Sequence, residues 1–437
     1  MATVAMEGIT RAFNEDAFRA RNEAGPGWLR EWRSTAWSVY EATPLPTTKL
    51  EEWRYTDPKK LKYDKVDLAS LTATPPVPQH EVDWLAGRAA SARVLQVGTR
   101  IVQVELDATL QAKGVLVMDL ARAVDEYGGL VREQLGRAVP ASMGKFAALN
   151  GAFWDAGIFI HIPRGVRMEH PIRILRHFST PGVAHFPRTL ILADEGSHCG
   201  IVEEFDSPDF DAPTFSCGVV EVIANAAANV QYVALQRFGH NVHHISTQRT
   251  IAGRDANLDT LVVNLGGSVA RVDLAASLEG PGSRSDMLGL YFGRGSQHFD
   301  HNTRQDHKVP HATSDLLYKG ALADRSHAVF RGIIKVFPKA QRTDAYQTNR
   351  SLILSREAEA VALPNLEIEA DDVRCSHAAT VGQLDKEELF YIMSRGIARP
   401  EAERLVVFGF FGEVLDRLPL PGVVEELRHA IAERITR

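Results

Sequence analysis

A recurring turn motif in the middle of the chain is the feature that most restricts how this sequence can fold. Turn-forming clusters rich in Ala, Gly, Asp and Asn recur at spacings of 31, 28 and 28 residues, starting at Ala193, Ala224, Ala252 and Gly280. A short apolar run follows each cluster, and no helical pattern separates them. Such regularity is typical of stacked β-coils in which each coil covers the apolar face of its neighbour. The sequence therefore predicts a mainly β fold with a parallel β-helix core, and a jelly roll or β-sandwich is the alternative.

Helical patterns flank this β-rich core on both sides. Aromatic residues among charged ones over residues 10–41 predict two helices, and an extended arm over residues 44–78 carries the aromatic motif Leu50-Glu-Glu-Trp-Arg-Tyr-Thr56. After the core, Asp385 with Glu388 forms a helix-capping signature, and we expect three helices to close the chain. These patterns divide the chain into an N-terminal helical region with its arm (1–90), a β-helix core (91–373) and a C-terminal helical region (374–437).

Charge balance and cysteine spacing argue against several classes of function. The chain has 49 Lys and Arg against 55 Asp and Glu, and it contains no basic block that could neutralise a run of phosphates. No run of about 18 apolar residues is present. The three cysteines, Cys199, Cys217 and Cys375, form no C-x-x-C pair, which argues against a disulfide framework or a self-contained metal site. We expect a cytoplasmic protein with free thiols that binds neither nucleic acid nor membrane.

Cys375 and His377 are the strongest candidates for metal chemistry. They are two residues apart, so on an extended backbone their side chains point the same way and can address one metal or one partner surface. Thiolates and imidazoles suit iron, zinc and copper, but two ligands do not fill a tetrahedral site. A site here must borrow ligands from elsewhere. The structural alternative is a buried thiol beside a hydrogen-bonded histidine at a strand-to-helix junction.

Other polar groups match known sites less well. Histidines cluster between His240 and His244 and between His298 and His311, but their spacing fits no metal-binding motif, and we expect them in packing or on solvated faces. The chain has no phosphate-binding loop and no nucleophile elbow. A carbohydrate lyase or hydrolase on a β-helix is the alternative function, and it would need acids that cluster in space. The candidate acids are Asp300, Asp306, Asp315 and Asp324.

Several blocks of the sequence resemble the SufB/SufD family of iron-sulfur cluster assembly scaffold proteins. These blocks are Leu50–Thr56, His307–Gly320, Val329–Lys335, Ala340–Thr343, Leu366–His377, Gly382–Asp385 and Ser394–Ile397. Cys375-Ser-His377 followed by Gly382-Gln-Leu-Asp385 resembles the SufD branch, because SufB proteins typically have Cys-Glu-His at this point. Ala378 departs from the family pattern, in which Gly usually follows the histidine; it narrows backbone freedom but leaves both candidate ligands in place.

The resemblance implies a right-handed parallel β-helix flanked by helical regions, acting as a non-catalytic scaffold. It implies pairing with a SufB-like paralogue through the C-terminal end of the β-helix, or with a second copy when the chain is alone. His377 would face that partner and share a metal with it, with Cys375 in support. An iron-sulfur cluster or iron would be held transiently at the interface, with none stably bound in the isolated chain. Residues 385–437 would dock a SufC-like ABC-type ATPase, through Leu389, Phe390, Met393, Phe408 and Phe411.

Overall fold

The fold is a parallel β-helix with helical regions at both ends, which confirms the predicted fold class. The computed structural model describes residues 12–71 and 76–436, so residues 1–11 and 72–75 of the predicted N-terminal region and arm lie outside the described residues. The α-helices are α1 Glu15–Asn22, α2 Gly27–Ala42, α3 Gln79–Ala86, α4 Ala108–Ala112, α5 Leu120–Glu126, α6 Gly128–Gln134, α7 Lys145–Phe153, α8 Lys386–Ser394, α9 Arg399–Leu415 and α10 Pro421–Thr436. Short 3-10 helices lie at Glu51–Trp53, Pro58–Leu61, Tyr63–Lys65 and Ala141–Met143.

The strands form two sheets that face each other across the core. They are β1 Asp67–Leu68, β2 Ala92–Val97, β3 Arg100–Leu106, β4 Leu116–Asp119, β5 Gly157–Ile162, β6 Ile172–His177, β7 Val183–His185, β8 Arg188–Ala193, β9 His198–Asp206, β10 Thr214–Ala224, β11 Asn229–Arg237, β12 Val242–Ala252, β13 Asn257–Asn264, β14 Val269–Leu278, β15 Arg284–Gly293, β16 His298–His307, β17 Thr313–Leu322, β18 His327–Val336, β19 Asp344–Ile353, β20 Glu359–Ile368 and β21 Arg374–Gln383. One sheet runs in the order β20-β18-β16-β14-β12-β10-β8-β5-β4, and the other in the order β21-β19-β17-β15-β13-β11-β9-β6-β2-β3.

About eight coils, from β5 and β6 to β20 and β21, each place one long strand in each sheet. Equivalent residues of successive coils pair in parallel, as Cys199 with Val230 and Val230 with Leu258 do, and all three are buried. The spacing of 28 to 31 residues in the sequence is therefore the length of one coil. Parallel pairing of successive coils excludes the jelly roll and the sandwich, whose sheets are antiparallel.

Both predicted boundaries of the β-helix need correction. Helices α4–α7 lie inside the region predicted as β-helix, and the regular coils begin only at Gly157. These helices cover the first coils: Phe153 of α7 packs with Phe186 of the β-helix and Trp37 of α2 in one apolar cluster. At the other end, β21 pairs with β19 over its whole length, so the β-helix continues ten residues beyond the predicted end at residue 373.

The aromatic motif of the arm packs against the side of the β-helix. Trp53 is buried, and the Arg271 guanidinium lies 3.8 Å from its ring centroid while donating to the Glu52 carbonyl at 2.8 Å. Three residues on, the Thr56 hydroxyl lies 2.8 Å from Nε2 of His298. The Glu51 carboxylate also lies 3.3 Å from Nη2 of Arg331, so cation–π, hydrogen-bonding and ion-pair contacts together hold the motif on the β-helix.

The side chain of Asp259 is buried, and its ionisation lowers the stability of the fold. It stands directly opposite Asp286 of the next coil. Burial, and then the Asp286 carboxylate, raise the pKa of Asp259 to about 6. An acid whose folded pKa lies above its unfolded value destabilises the fold as pH rises through the interval between the two, here from about 4 to about 6. Stability should therefore fall across that interval.

Replacing Asp259 with asparagine should remove this destabilisation. At pH 7 the variant should unfold with a free energy about 1–3 kcal/mol higher than the wild type, because the amide keeps a polar group for Gln231 without the charge. At pH 4 the two proteins should melt at nearly the same temperature. Thermal melting followed by circular dichroism between pH 4 and 8 measures this difference, and an equal difference at all pH values would contradict the assignment to Asp259.

The helices of the described ranges include none that is both long and apolar enough to cross a bilayer.

Candidate functional site

Cys375 and His377 lie on β21, the last strand of the β-helix, rather than at a strand-to-helix junction. In register, Cys375 pairs with Ala345 and His377 with Gln347 of β19. Ala345 and Gln347 are buried, so the two candidate ligands continue inward-facing rows of the β-helix. No described strand covers β21 on its other side, and His377 is therefore exposed at the open end of the core. The two groups share one face, as the sequence predicted.

Cys375 is half-buried, and its thiol is less available for metal binding than the imidazole of His377. Its side chain packs against the apolar cluster that contains Ile334, Ala340 and Ala345. Burial, and then the Asp344 carboxylate, raise the pKa of the Cys375 thiol. The thiolate is the form that binds metals, so a metal has to displace the Cys375 proton before that sulfur can bind it. Exposure of the imidazole makes His377 the more available of the two candidate ligands.

The final coil ends in two strand edges that pair with no other described strand. β20 pairs with β18 on one side, and β21 pairs with β19 on one side. Apolar side chains are exposed around these edges: Tyr346, Ile368 and Val381 are each between 42% and 47% exposed. Free backbone donors and acceptors beside apolar side chains are suited to strand pairing with another chain. The sequence alone does not mark these edges, because an edge strand has no motif of its own.

An exposed apolar surface lies on α8 and α9, in the region expected to dock a partner. We call it the α8 patch, and its members are Phe390, Tyr391, Met393 and Leu405, which are 74%, 60%, 40% and 42% exposed. Leu389 and Phe411, which the family resemblance implied as docking residues, are buried at 7% and 1% exposure, and Phe408 is half-buried. Tyr391 and Leu405 were not among the expected docking residues, because the sequence does not show which face of a short helix is covered.

Helix α9 fixes the α8 patch to the β-helix. Phe411 and Val407 pack into an apolar cluster with Leu317 of the second sheet. Lys319 of β17 donates to the Phe410 carbonyl at 2.8 Å and pairs with Glu413 at 2.5 Å. Leu389 and Phe411 therefore hold the helices in place and are unavailable to another protein.

The histidine clusters have structural contacts. His244 bonds to Ser216, and His301 bonds to Asn264 inside the core. His298 stacks on His327 with ring centroids 4.8 Å apart. Burial lowers the pKa of His244, His298 and His301 to about 3, which keeps these rings neutral. Packing and hydrogen bonding, as expected, account for these side chains.

The carboxylates proposed for a carbohydrate enzyme each have a structural contact as well. Asp300 pairs with Arg271 at 2.5 Å, and Asp306 pairs with Arg304 at 2.6 Å. Asp315 accepts from Arg417, and Asp324 accepts from a turn amide. These acids do not converge on one site, so nothing in their arrangement favours a lyase or hydrolase.

The fold defines a class of protein: a parallel β-helix whose final coil carries a cysteine and a histidine on one face. Residues 13–174 match the family described as SufBD protein N-terminal region, and residues 177–410 match SUF system FeS cluster assembly, SufBD core domain. Proteins named iron-sulfur cluster assembly SufBD family protein, from Staphylococcus epidermidis, Staphylococcus haemolyticus and Staphylococcus aureus, are each 28% identical to this chain. Each alignment covers 96% of this chain and 91% of the relative. The chain belongs to the SufBD family of iron-sulfur cluster assembly proteins.

Proposed function

We propose that this chain is a SufD-like, non-catalytic scaffold subunit that builds and transfers nascent iron-sulfur clusters in the cytoplasm with a SufB-like paralogue and a SufC-like ATPase. The observation that carries the proposal is the position of His377, exposed on the last strand of an open-ended β-helix. The motif Cys375-Ser-His377 supports the SufD branch, because a glutamate typically stands between these two residues in SufB proteins.

The paralogue would bind at the free edges of β20 and β21. Parallel β-helices that meet end to end can continue their sheets across the contact through backbone hydrogen bonds. The exposed Ile368 and Val381 would be covered by such a contact, which adds apolar burial to the hydrogen bonds. Without the paralogue, the same edges would pair with a second copy of this chain.

The cluster or its iron is cargo held between the two chains. His377 supplies one imidazole nitrogen, and the half-buried Cys375 supplies a second ligand only after losing its proton. Thiolates of the paralogue would complete the coordination, so the site would exist only when the two chains meet. Because the ligands would be shared between the two chains, this chain needs to supply only the two candidate ligands at the interface.

The ATPase would bind the α8 patch. Apolar side chains as exposed as Phe390 and Tyr391 are typical of protein interaction surfaces when they lie together. The chain has no phosphate-binding loop of its own, so energy from nucleotide hydrolysis has to come from a partner. Nucleotide hydrolysis would move the bound ATPase, and helix α9 would transmit this movement to the β-helix through Phe411 and Lys319.

Coexpression of this chain with SufB-like and SufC-like proteins tests the proposal. We expect a complex of the three chains that carries iron and sulfide after anaerobic purification.

Phe390→Asp should weaken ATPase copurification by about 30-fold or more, because burying a carboxylate in an apolar contact costs about 2 kcal/mol or more. Copurification of the paralogue should be unchanged. Glu387→Ala, which changes an exposed residue on the same helix, is the matched control. A complex that keeps the ATPase after Phe390→Asp would contradict the docking site.

A further inference from the structure

Three metal-capable side chains meet far from Cys375 and His377, where α3 crosses the ends of two strands. Glu81 lies in the first turn of α3, His177 is the last residue of β6, and Asp206 is the last residue of β9. His177 and Asp206 are direct register partners in adjacent parallel strands. Glu81 and His177 are both 5% exposed. Three separate elements thus bring an imidazole and two carboxylates to one place.

The distances between the ligand atoms suit a single metal ion. Nδ1 of His177 lies 3.4 Å from Oε1 of Glu81 and 3.3 Å from Oδ2 of Asp206. Ligand atoms about 2.0–2.1 Å from a tetrahedral ion are about 3.3–3.4 Å from each other. All three ligand atoms lie within 4.8 Å of one another, so the two carboxylates need only a small adjustment.

A fourth ligand is available beside this group. Nε2 of His80 lies 3.3 Å from the same Glu81 oxygen, and its ring centroid is 6.5 Å from that of His177. The His80 side chain is 77% exposed, so it can turn toward the group at little cost in packing. The fourth position therefore falls to His80 or to a water molecule.

Charge also favours a cation here. The two carboxylates, Glu81 buried and Asp206 half-buried, lie within 4.8 Å of each other and repel unless positive charge lies between them. Arg237 faces Asp206, but its guanidinium also pairs with Glu204 at 3.4 Å. Asp206 lines a cavity of about 290 Å³ next to α10, which gives an ion a route to the group.

We propose that Glu81, His177 and Asp206 bind one divalent transition-metal ion, separate from the cluster-assembly site. A set of one or two imidazole nitrogens with carboxylate oxygens suits Zn²⁺, Fe²⁺ and Co²⁺ better than Mg²⁺ or Ca²⁺, which prefer oxygen ligands alone. By joining α3 to the ends of β6 and β9, the ion would clamp the N-terminal region onto the β-helix. The competing account is an ion pair in which protonated His177 bridges the two carboxylates.

Co²⁺ added to the metal-free full chain distinguishes these accounts. The chain should carry Cys375→Ser and His377→Ala, so that the first site cannot contribute. We expect one tightly bound Co²⁺ per chain, with the visible absorption of nitrogen and oxygen ligation and no thiolate charge-transfer band. Asp206→Asn and Glu81→Gln should each weaken binding by about 100-fold or more, because each removes a direct ligand and loss even of a supporting group typically costs about 10- to 100-fold. His80→Ala should have a smaller effect.

His161→Gln is the matched control, because His161 and Asp194 form another histidine–carboxylate pair at 2.8 Å, outside the three-residue group. It should leave Co²⁺ binding unchanged. Bound metal should also raise the melting temperature of the chain and fail to raise that of Asp206→Asn. If Asp206→Asn does not fold, Glu81→Gln on the surface helix provides the same comparison. The metal site would be overturned if the chain bound no stoichiometric Co²⁺, or if the ligand variants bound Co²⁺ with the same affinity as the parent chain. The ion pair would then account for the three residues.

Discussion

Replacing His377 with alanine should reduce iron-sulfur cluster assembly by this chain and its partners by about 10-fold or more. Loss of a group that only supports a metal ligand typically lowers metal affinity or activity by about 10- to 100-fold, so loss of a direct ligand should cost at least as much. The His377 side chain is exposed on β21, so its removal should leave folding and melting temperature unchanged. Growth of a strain that depends on this chain, with the iron and sulfide content of the purified complex, measures the effect.

Ser376→Ala is the control for His377→Ala, because Ser376 is exposed on the same strand and points to the opposite face. It should leave assembly unchanged. Cys375→Ala should have a smaller effect than His377→Ala, because its pKa is raised and the protonated thiol is a poor ligand. A His377→Ala complex that stays intact and assembles clusters at the wild-type level would show that the site lies elsewhere.

Glu221→Leu should lower the free energy of unfolding by about 3–5 kcal/mol, the expected loss when one member of a buried ion pair is removed. Glu221 and Arg188 pair at 2.5 Å, with side chains 0% and 1% exposed. The Glu221 carboxylate also accepts from the amides of Gly136, Ala138 and Val139, at 3.1, 3.0 and 3.0 Å. The substitution would leave a buried guanidinium and three amides without this acceptor. Thermal or urea unfolding measures the loss.

The double variant Arg188→Met with Glu221→Leu separates the two parts of this effect. Removing both charges should restore part of the stability, because an apolar pair avoids the buried unpaired charge. Restoration should be incomplete, since the amides of residues 136–139 still lack the carboxylate. Glu15→Ala, in a pair with Arg19 whose side chains are 61% and 70% exposed, should change stability little. Equal effects of Glu15→Ala and Glu221→Leu would contradict the role of burial.

The β-helix core could be predicted from the sequence because the same short-range pattern of apolar and turn residues recurs in successive coils. Each coil places apolar residues on the same rows and turn residues at the same corners, so the period appears directly in the chain. The capping residue Asp385 likewise predicted α8, and its carboxylate accepts from the amides of Glu387 and Glu388. The start of a helix depends on a few adjacent residues, so it can be predicted from the sequence without the tertiary structure.

Features that depend on distant packing were predicted less well. Leu389 and Phe390 are adjacent and similar in character, yet one is buried and the other is 74% exposed. The difference depends on where α9 and the β-helix lie, which neighbouring residues do not encode. Helices α4–α7 were missed for a related reason: they precede the regular coils, so the periodic pattern that follows gives no sign of them.

The sequence by itself determined the coil period, the flanking helices and the shared direction of Cys375 and His377, because each follows from backbone periodicity over a few residues. Tertiary structure alone decided that no strand of the described ranges pairs with the outer side of β21, which leaves His377 exposed. It also brought together Glu81, His177 and Asp206, which come from three separate elements. Contacts of this kind arise from the stacking of coils and the docking of helices. The pairing of His177 with Asp206 follows only from the register of adjacent coils, and their approach to Glu81 only from where α3 packs.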